Sequence, residues 1–149
     1  MQPQLTESTR KVLDQAQAEA RHLNQESVGT EHVLLAMLSC HGCHVSRVMR
    51  QHHVDRDAVR AQLLSVMAYS ENPPVVTGQL PLSPKAQRVI QSAVVMSRSL
   101  RETKVSTRVL LLSLMDEPKT VFLQALRDTG VDVETMLRAL AEKPAEDEP

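Results

Sequence analysis

Aromatic side chains are almost missing from this chain: one tyrosine (Tyr69), one phenylalanine (Phe122) and no tryptophan in 149 residues. Stacking platforms for single-stranded nucleic acid, sheets of the RNA-recognition type and cages for quaternary ammonium groups all need several rings. Charge of one sign is lacking too. Seventeen Lys and Arg stand against eighteen Asp and Glu, a net charge of -1, which gives no general attraction to a phosphate backbone or an anionic bilayer. No apolar run approaches the roughly 18 residues of a membrane span, and Met1 to Thr6 carry neither the basic nor the apolar region of an export signal. The four glycines, Gly29, Gly42, Gly78 and Gly130, include no G-x-x-x-x-G-K-[ST] phosphate cradle. Neither G-x-S-x-G nor H-E-x-x-H occurs. The expectation is a cytoplasmic protein, not an enzyme, without a cofactor and with neither nucleic acid nor membrane as a partner.

What is present is an aliphatic pattern, and it is present twice. Laying residues 5–64 on 82–141, an offset of 77 without gaps, makes 13 of 60 positions identical, among them Leu5/Leu82, Ala16/Ala93, Val28/Val105, Thr30/Thr107, Leu35/Leu112 and Asp55/Asp132. Conservative pairs such as Thr6/Ser83 and Leu13/Ile90 extend the match. Two copies of one supersecondary unit are implied.

Each copy reads as four helices. Thr6 and Ser83 are N-caps of the first, the latter followed by Pro84 at a position where its missing N–H costs nothing. Val12, Ala16, Ala20 and Leu23 recur along one face. Thr30 and Thr107 are read as caps of the second helix, whose runs Val33 to Leu38 and Val109 to Met115 are apolar on all sides and therefore central. The third helix carries Val45, Val48 and Met49 in one copy and Val121, Leu123 and Leu126 in the other. Gly130 stops the latter in a left-handed conformation, His53 stands in the matching place, and Asp55 and Asp132 cap the fourth helices. Met49, Met67 and Met96 are assigned to the core, while His22 and His32 are read as solvated or edge residues. The domain plan is one unit over 1–149: repeat 1 at 5–67, a linker at 68–81, repeat 2 at 82–142 and a disordered tail at 143–149. The linker's Pro73-Pro74-Val75-Val76-Thr77 is an exposed apolar segment suited to covering a groove or meeting a partner.

Chemistry concentrates in Cys40-His41-Gly42-Cys43-His44. The C-x-x-C-H spacing is that of covalent haem attachment, which needs an export signal and a lined pocket that this chain does not offer. Cys40, Cys43 and His44 suit tetrahedral zinc if a fourth ligand closes the set, and a C-x-x-C at a helix N-terminus suits redox chemistry. The remaining reading is a plain loop, and copy two puts Glu117-Pro118-Lys119-Thr120 in the same place, without those ligands.

Ser27-Val28-Gly29-Thr30-Glu31-His32-Val33-Leu34-Leu35-Ala36-Met37-Leu38, preceded by Leu5-Thr6-Glu7 and Ala16 to Arg21 and followed by Val54-Asp55, resembles the Clp N-terminal (Clp repeat) domain over residues 4–142. The resemblance implies an all-α fold of two tandem four-helix repeats in pseudo-two-fold arrangement. It also implies a protein-interaction module that docks substrates or adaptors of a Clp unfoldase–protease system, either free-standing or as the N-terminal part of a Clp ATPase. Members similar to ClpC receive phosphorylated arginine through an acidic residue in a Gly-Thr-Glu-His segment. Here that residue is Glu31, beside Thr30; copy two has Ser106-Thr107-Arg108-Val109, so Arg108 replaces the carboxylate and its charge is expected to repel an arginyl ligand. Thr6, Thr30, Glu31, Ser83 and Arg108 are the candidate binding residues, with phosphoarginine-bearing proteins among the implied partners. A small metal- or redox-responsive protein using Cys40 and Cys43 is the alternative.

Overall fold

The computed structural model describes residues 4–67, 69–72, 77–115 and 121–149; the Pro73–Val76 part of the linker segment and the Glu117–Thr120 loop lie outside them. Eight helices run along the described chain: α1 (Glu7–His22), α2 (Thr30–Leu38), α3 (His44–Gln51), α4 (Arg56–Val66), α5 (Pro84–Ser99), α6 (Thr107–Met115), α7 (Val121–Asp128) and α8 (Val133–Ala141). Adding 77 to the bounds of α1, α2 and α3 gives those of α5, α6 and α7, so the sequence repeat is a structural repeat to the residue. The fold is all-α, with two four-helix units, as expected.

The units are not side by side and independent; each completes the other. Leu5 pairs with Val105 and Val28 with Leu82 in isolated parallel bridges. Under the 77-residue offset the first bridge becomes the second with its partners exchanged, which is what a pseudo-two-fold axis requires. The hydrogen bonds follow the same exchange: Thr6 N–H to Val105 O is 3.1 Å and Ser83 N–H to Val28 O is 2.8 Å. The Leu5–Thr6 segment of one repeat is thereby held against the approach to the second helix of the other. Helices cross over likewise, α3 packing on α8 and α4 on α7.

Local chemistry explains the ends of the elements. Thr6, Asp55, Ser83 and Asp132 accept from the backbone three residues on, capping α1, α4, α5 and α8. His53 and Gly130 both follow a helix with positive φ, +55° and +89°, and the next amide reaches back to Met49 O and Leu126 O respectively. His53 therefore takes the left-handed position that Gly130 fills, as read from the alignment.

Four readings need correction. Thr30 and Thr107 are the first helical residues of α2 and α6 and not their caps; Gly29 precedes α2 as its cap, and Ser106 Oγ accepts from Val109 N at 3.4 Å. In α7 the buried face is Phe122, Ala125 and Leu126, and Val121 is 45% exposed, because the larger ring takes the inward register at the helix start. Met49 is core, whereas Met67 and Met96 only pack against its edge. The tail is not frayed where it ends: Glu148 is buried and anchored by several hydrogen bonds.

Candidate functional site: two helix-capping pockets and a cleft

The exchange of segments between repeats brings helix N-termini together. Thr6, the cap of α1, is pinned beside Thr107 at the start of α6 by the Leu5–Val105 bridge. α3 packs on α6 so that Val45 N–H points to Thr107 Oγ1 at 3.4 Å, placing His44, the first residue of α3, at the same point. Helix N-termini present amides without intrahelical partners and a partial positive charge. Here three such ends face one spot.

The carboxylate of Glu148 occupies it. Oε1 accepts from Thr6 Oγ1 at 2.8 Å and from Thr107 N at 2.5 Å. Oε2 accepts from Thr107 Oγ1 at 2.6 Å and from His44 N at 2.9 Å. His44 Nε2 lies 3.0 Å from Glu146 O, and Pro149 O accepts from Ser8 N at 3.0 Å. The Glu148 side chain is 1% exposed, and His44 Nδ1 stands 3.9 Å from Oε2 with no hydrogen-bond partner among the described residues. Four donors and three helix ends replace the water that this charge loses, the usual condition for burying a carboxylate without a formal cation.

The pseudo-symmetric place in the other half collects Ser83, Thr30 and Glu31. Ser83 Oγ is occupied in capping α5, accepting from Ala86 N at 3.1 Å. Glu31 folds back over the start of α2: its Oε2 is 3.5 Å from Thr30 Oγ1, and a Cβ on Gly29 would meet its Oε1 at 2.5 Å. Its side chain is 50% exposed, so this carboxylate is accessible where Glu148 is not. Of the five candidate residues, Thr6 thus lies in one place and Thr30, Glu31 and Ser83 in the other.

Arg108 belongs to neither as a free charge. It is buried, donating Nη1 to Leu140 O at 3.0 Å and Nη2 to the Glu102 carboxylate. The expected repulsive guanidinium is turned inward as a strut between α6, α8 and the chain before α6.

His32 also departs from expectation. It is buried, and its Nδ1 accepts from Gly29 N at 2.8 Å, which makes it the side chain that closes the start of α2 and requires the tautomer protonated on Nε2. Burial pushes its pKa below the ordinary 6.5, and the carboxylates of Glu31 and Glu19 offset only part of that. The unfolded chain then binds a proton that the folded chain resists. Stability at this group is complete above pH 6.5 and falls as pH drops from there through the folded value. The thermal midpoint should therefore decrease between pH 7 and pH 5.5, and His32→Gln, whose amide oxygen suits the same role, should flatten that decrease. Parallel slopes for wild type and variant in melting curves followed by circular dichroism would refute this.

Near the first pocket, Cys40 and Cys43 are joined in a disulfide with Cα atoms 6.6 Å apart. Cys43 is the cap residue of α3, and Arg56 holds the loop by donating to Cys40 O at 2.8 Å and Ser46 O at 3.2 Å. His44 faces the tail instead of forming a ligand set with the sulfurs, and among the described residues no three His, Cys, Asp or Glu side chains are placed to hold a metal ion. Elsewhere, a cleft of about 660 Å³ runs along α5, lined by Leu82, Ile90, Val94, Val95 and Val105 with Ser97 among them. Val95 is 65% exposed, while the buried Ser97 Oγ has no hydrogen-bond partner among the described residues.

The sequence signal missed Thr107, His44 and Glu148 as one group. The Thr30/Thr107 identity was visible, but only the exchanged bridges show that Thr6 meets the second copy and not its own. Nothing periodic marks Glu148.

The architecture defines a doubled helical repeat whose candidate site residues lie where the halves meet. The sequence pattern of the Clp repeat (R) N-terminal domain matches residues 4–129, and the chain belongs to that family. It is 30% identical over 128 residues, 86% of this chain, to the ATP-dependent Clp protease ATP-binding subunit ClpA homolog of Cyanidium caldarium. It is 28% identical over 129 residues, 87% of this chain, to ClpC of Staphylococcus aureus (strain USA300). In each case it spans only 15% of the relative's length. The Hsp104 N-terminal domain from Candida albicans superposes with a TM-score of 0.75 at 17% identity, covering 93% of this chain and 90% of that one. The ClpV N-domain in complex with VipB peptide does so at 0.69 and 19%, covering 94% and 91%. Among the described residues no helix is long and apolar enough to cross a membrane.

Proposed function

We propose that this chain is a non-catalytic docking module of a Clp ATP-dependent unfoldase–protease system, working in the cytoplasm either alone or ahead of ATPase modules. The observation that carries this is the family match over most of the doubled repeat. A structural neighbour that holds a partner peptide supports protein segments as the ligands. The apolar cleft along α5, with its unpartnered Ser97 hydroxyl, offers a surface for such a segment. At the second pocket, exposed Glu31 beside Thr30 and Ser83 suits a phosphorylated arginine, the carboxylate taking the guanidinium and the helix start the phosphate.

Affinity capture on the immobilised chain from a lysate of the source cell tests this, with a phosphoarginine peptide as competitor. A Clp ring, a protease core or a Clp adaptor should be recovered and released by the peptide. Glu31→Ala should weaken peptide binding about 10-fold or more, the scale of one charge-assisted hydrogen bond. Recovery of no Clp component would sink the docking role; equal binding by Glu31→Ala would sink only the phosphoarginine role. The Cys40–Cys43 disulfide favours a second reading, a redox-responsive protein, because it sits on the α3 cap beside His44. Capture unchanged by a thiol reductant argues against that.

A further inference from the structure

We infer that the segment around Glu148 is an intramolecular ligand that closes the α1–α3–α6 pocket, and that the pocket, once vacated, takes a glutamate presented on an extended peptide. The inference stands apart from the docking role and does not need Glu31.

The contacts specify more than an anion. The carboxylate accepts from Thr6 Oγ1, Thr107 N, Thr107 Oγ1 and His44 N, each oxygen taking two hydrogen bonds. Two residues before it, the carbonyl of Glu146 meets His44 Nε2; one residue after it, that of Pro149 receives the Ser8 amide. Side chain and backbone on both sides are thus read together, which a free inorganic ion cannot satisfy. A capping role alone would need one of these bonds, not six. His44 is buried with its other ring nitrogen unpartnered and turned toward the carboxylate at 3.9 Å. The repeat supplies the contrast: Val121 stands where His44 does, so the second pocket lacks the imidazole. Thr107 is fully buried beneath the segment, while its counterpart Thr30 is only partly covered.

An attached ligand acts at an effective concentration set by its tether, and an external peptide sees only the open fraction of pockets. Glu148→Gln keeps the segment's shape but removes its charge, so it should open the pocket to competitors. The probe is a fluorescent peptide with the sequence of residues 143–149, measured by anisotropy against the full chain, Glu148→Gln and a chain ending at residue 143. Both altered chains should bind it at least 10-fold tighter than the full chain, and a probe with Gln at the position of Glu148 should bind neither. Amide resonances of Ser8, His44 and Thr107 should shift in Glu148→Gln and return when the probe is added, which also verifies that the variant is folded. Equal affinity for all three chains, no binding to any, or equal binding of the Gln probe would each overturn the inference.

Discussion

Arg108→Ala should destabilise the fold by about 3–5 kcal/mol, the range for removing one partner of a buried ion pair, with the lower end favoured because Glu102 is 16% exposed. The loss has two parts. The Leu140 carbonyl loses the Nη1 donor, and the Glu102 carboxylate loses its only described cation. Arg108→Met, which restores the volume of the stem and removes the charge, should recover part of the packing. Chemical denaturation of the three proteins separates the cases. A cost under about 1 kcal/mol for Arg108→Ala, the level of an exposed pair, would mean that Arg108 is not a strut and that its charge is available to ligands after all.

The second large effect tests the register of α7. Phe122 is 1% exposed and is the largest fully buried side chain. Phe122→Ala should cost about 3–5 kcal/mol through lost transfer energy and the cavity left behind. Val121→Ala, one residue earlier and 45% exposed, should stay within about 0.5 kcal/mol. If the two costs were reversed, the helix would be rotated so as to bury Val121, as the aliphatic pattern alone suggests.

That contrast shows where sequence reasoning succeeds and where it stops. The repeat, the helices and their caps at Thr6, Ser83, Asp55 and Asp132 were legible because they depend on near neighbours and on one fixed offset. His53 was placed correctly through Gly130, which marks the left-handed position unambiguously. The outward position of Val121 was not legible, because in an eight-residue helix two adjacent apolar residues leave the buried face undecided, and side-chain volume settles it. His32 and Arg108 were misread for a different reason. Whether a polar side chain points out or in depends on partners such as the Gly29 amide and the Leu140 carbonyl, which no spacing reveals. The candidate pockets were half legible: Thr6, Thr30, Glu31 and Ser83 stand at helix starts as their spacing implies, but their grouping depends on contacts between repeats. Glu148 is the extreme case, an acidic residue among prolines and other acids whose burial depends on three helix ends distant in sequence.

The exchanged bridges carry one more consequence. A lone repeat would expose the backbone edge at Val28 and hold half of each pocket, with its first cap and its second helix start facing nothing. Two repeats supply each other's missing half in the manner of an isologous dimer, in which one patch pairs with its own copy. Joining them through residues 68–81 makes that association unimolecular and frees the halves to diverge. Equivalent places then need not stay equivalent, which is how one pocket comes to hold a tail and a histidine while its twin keeps an open glutamate.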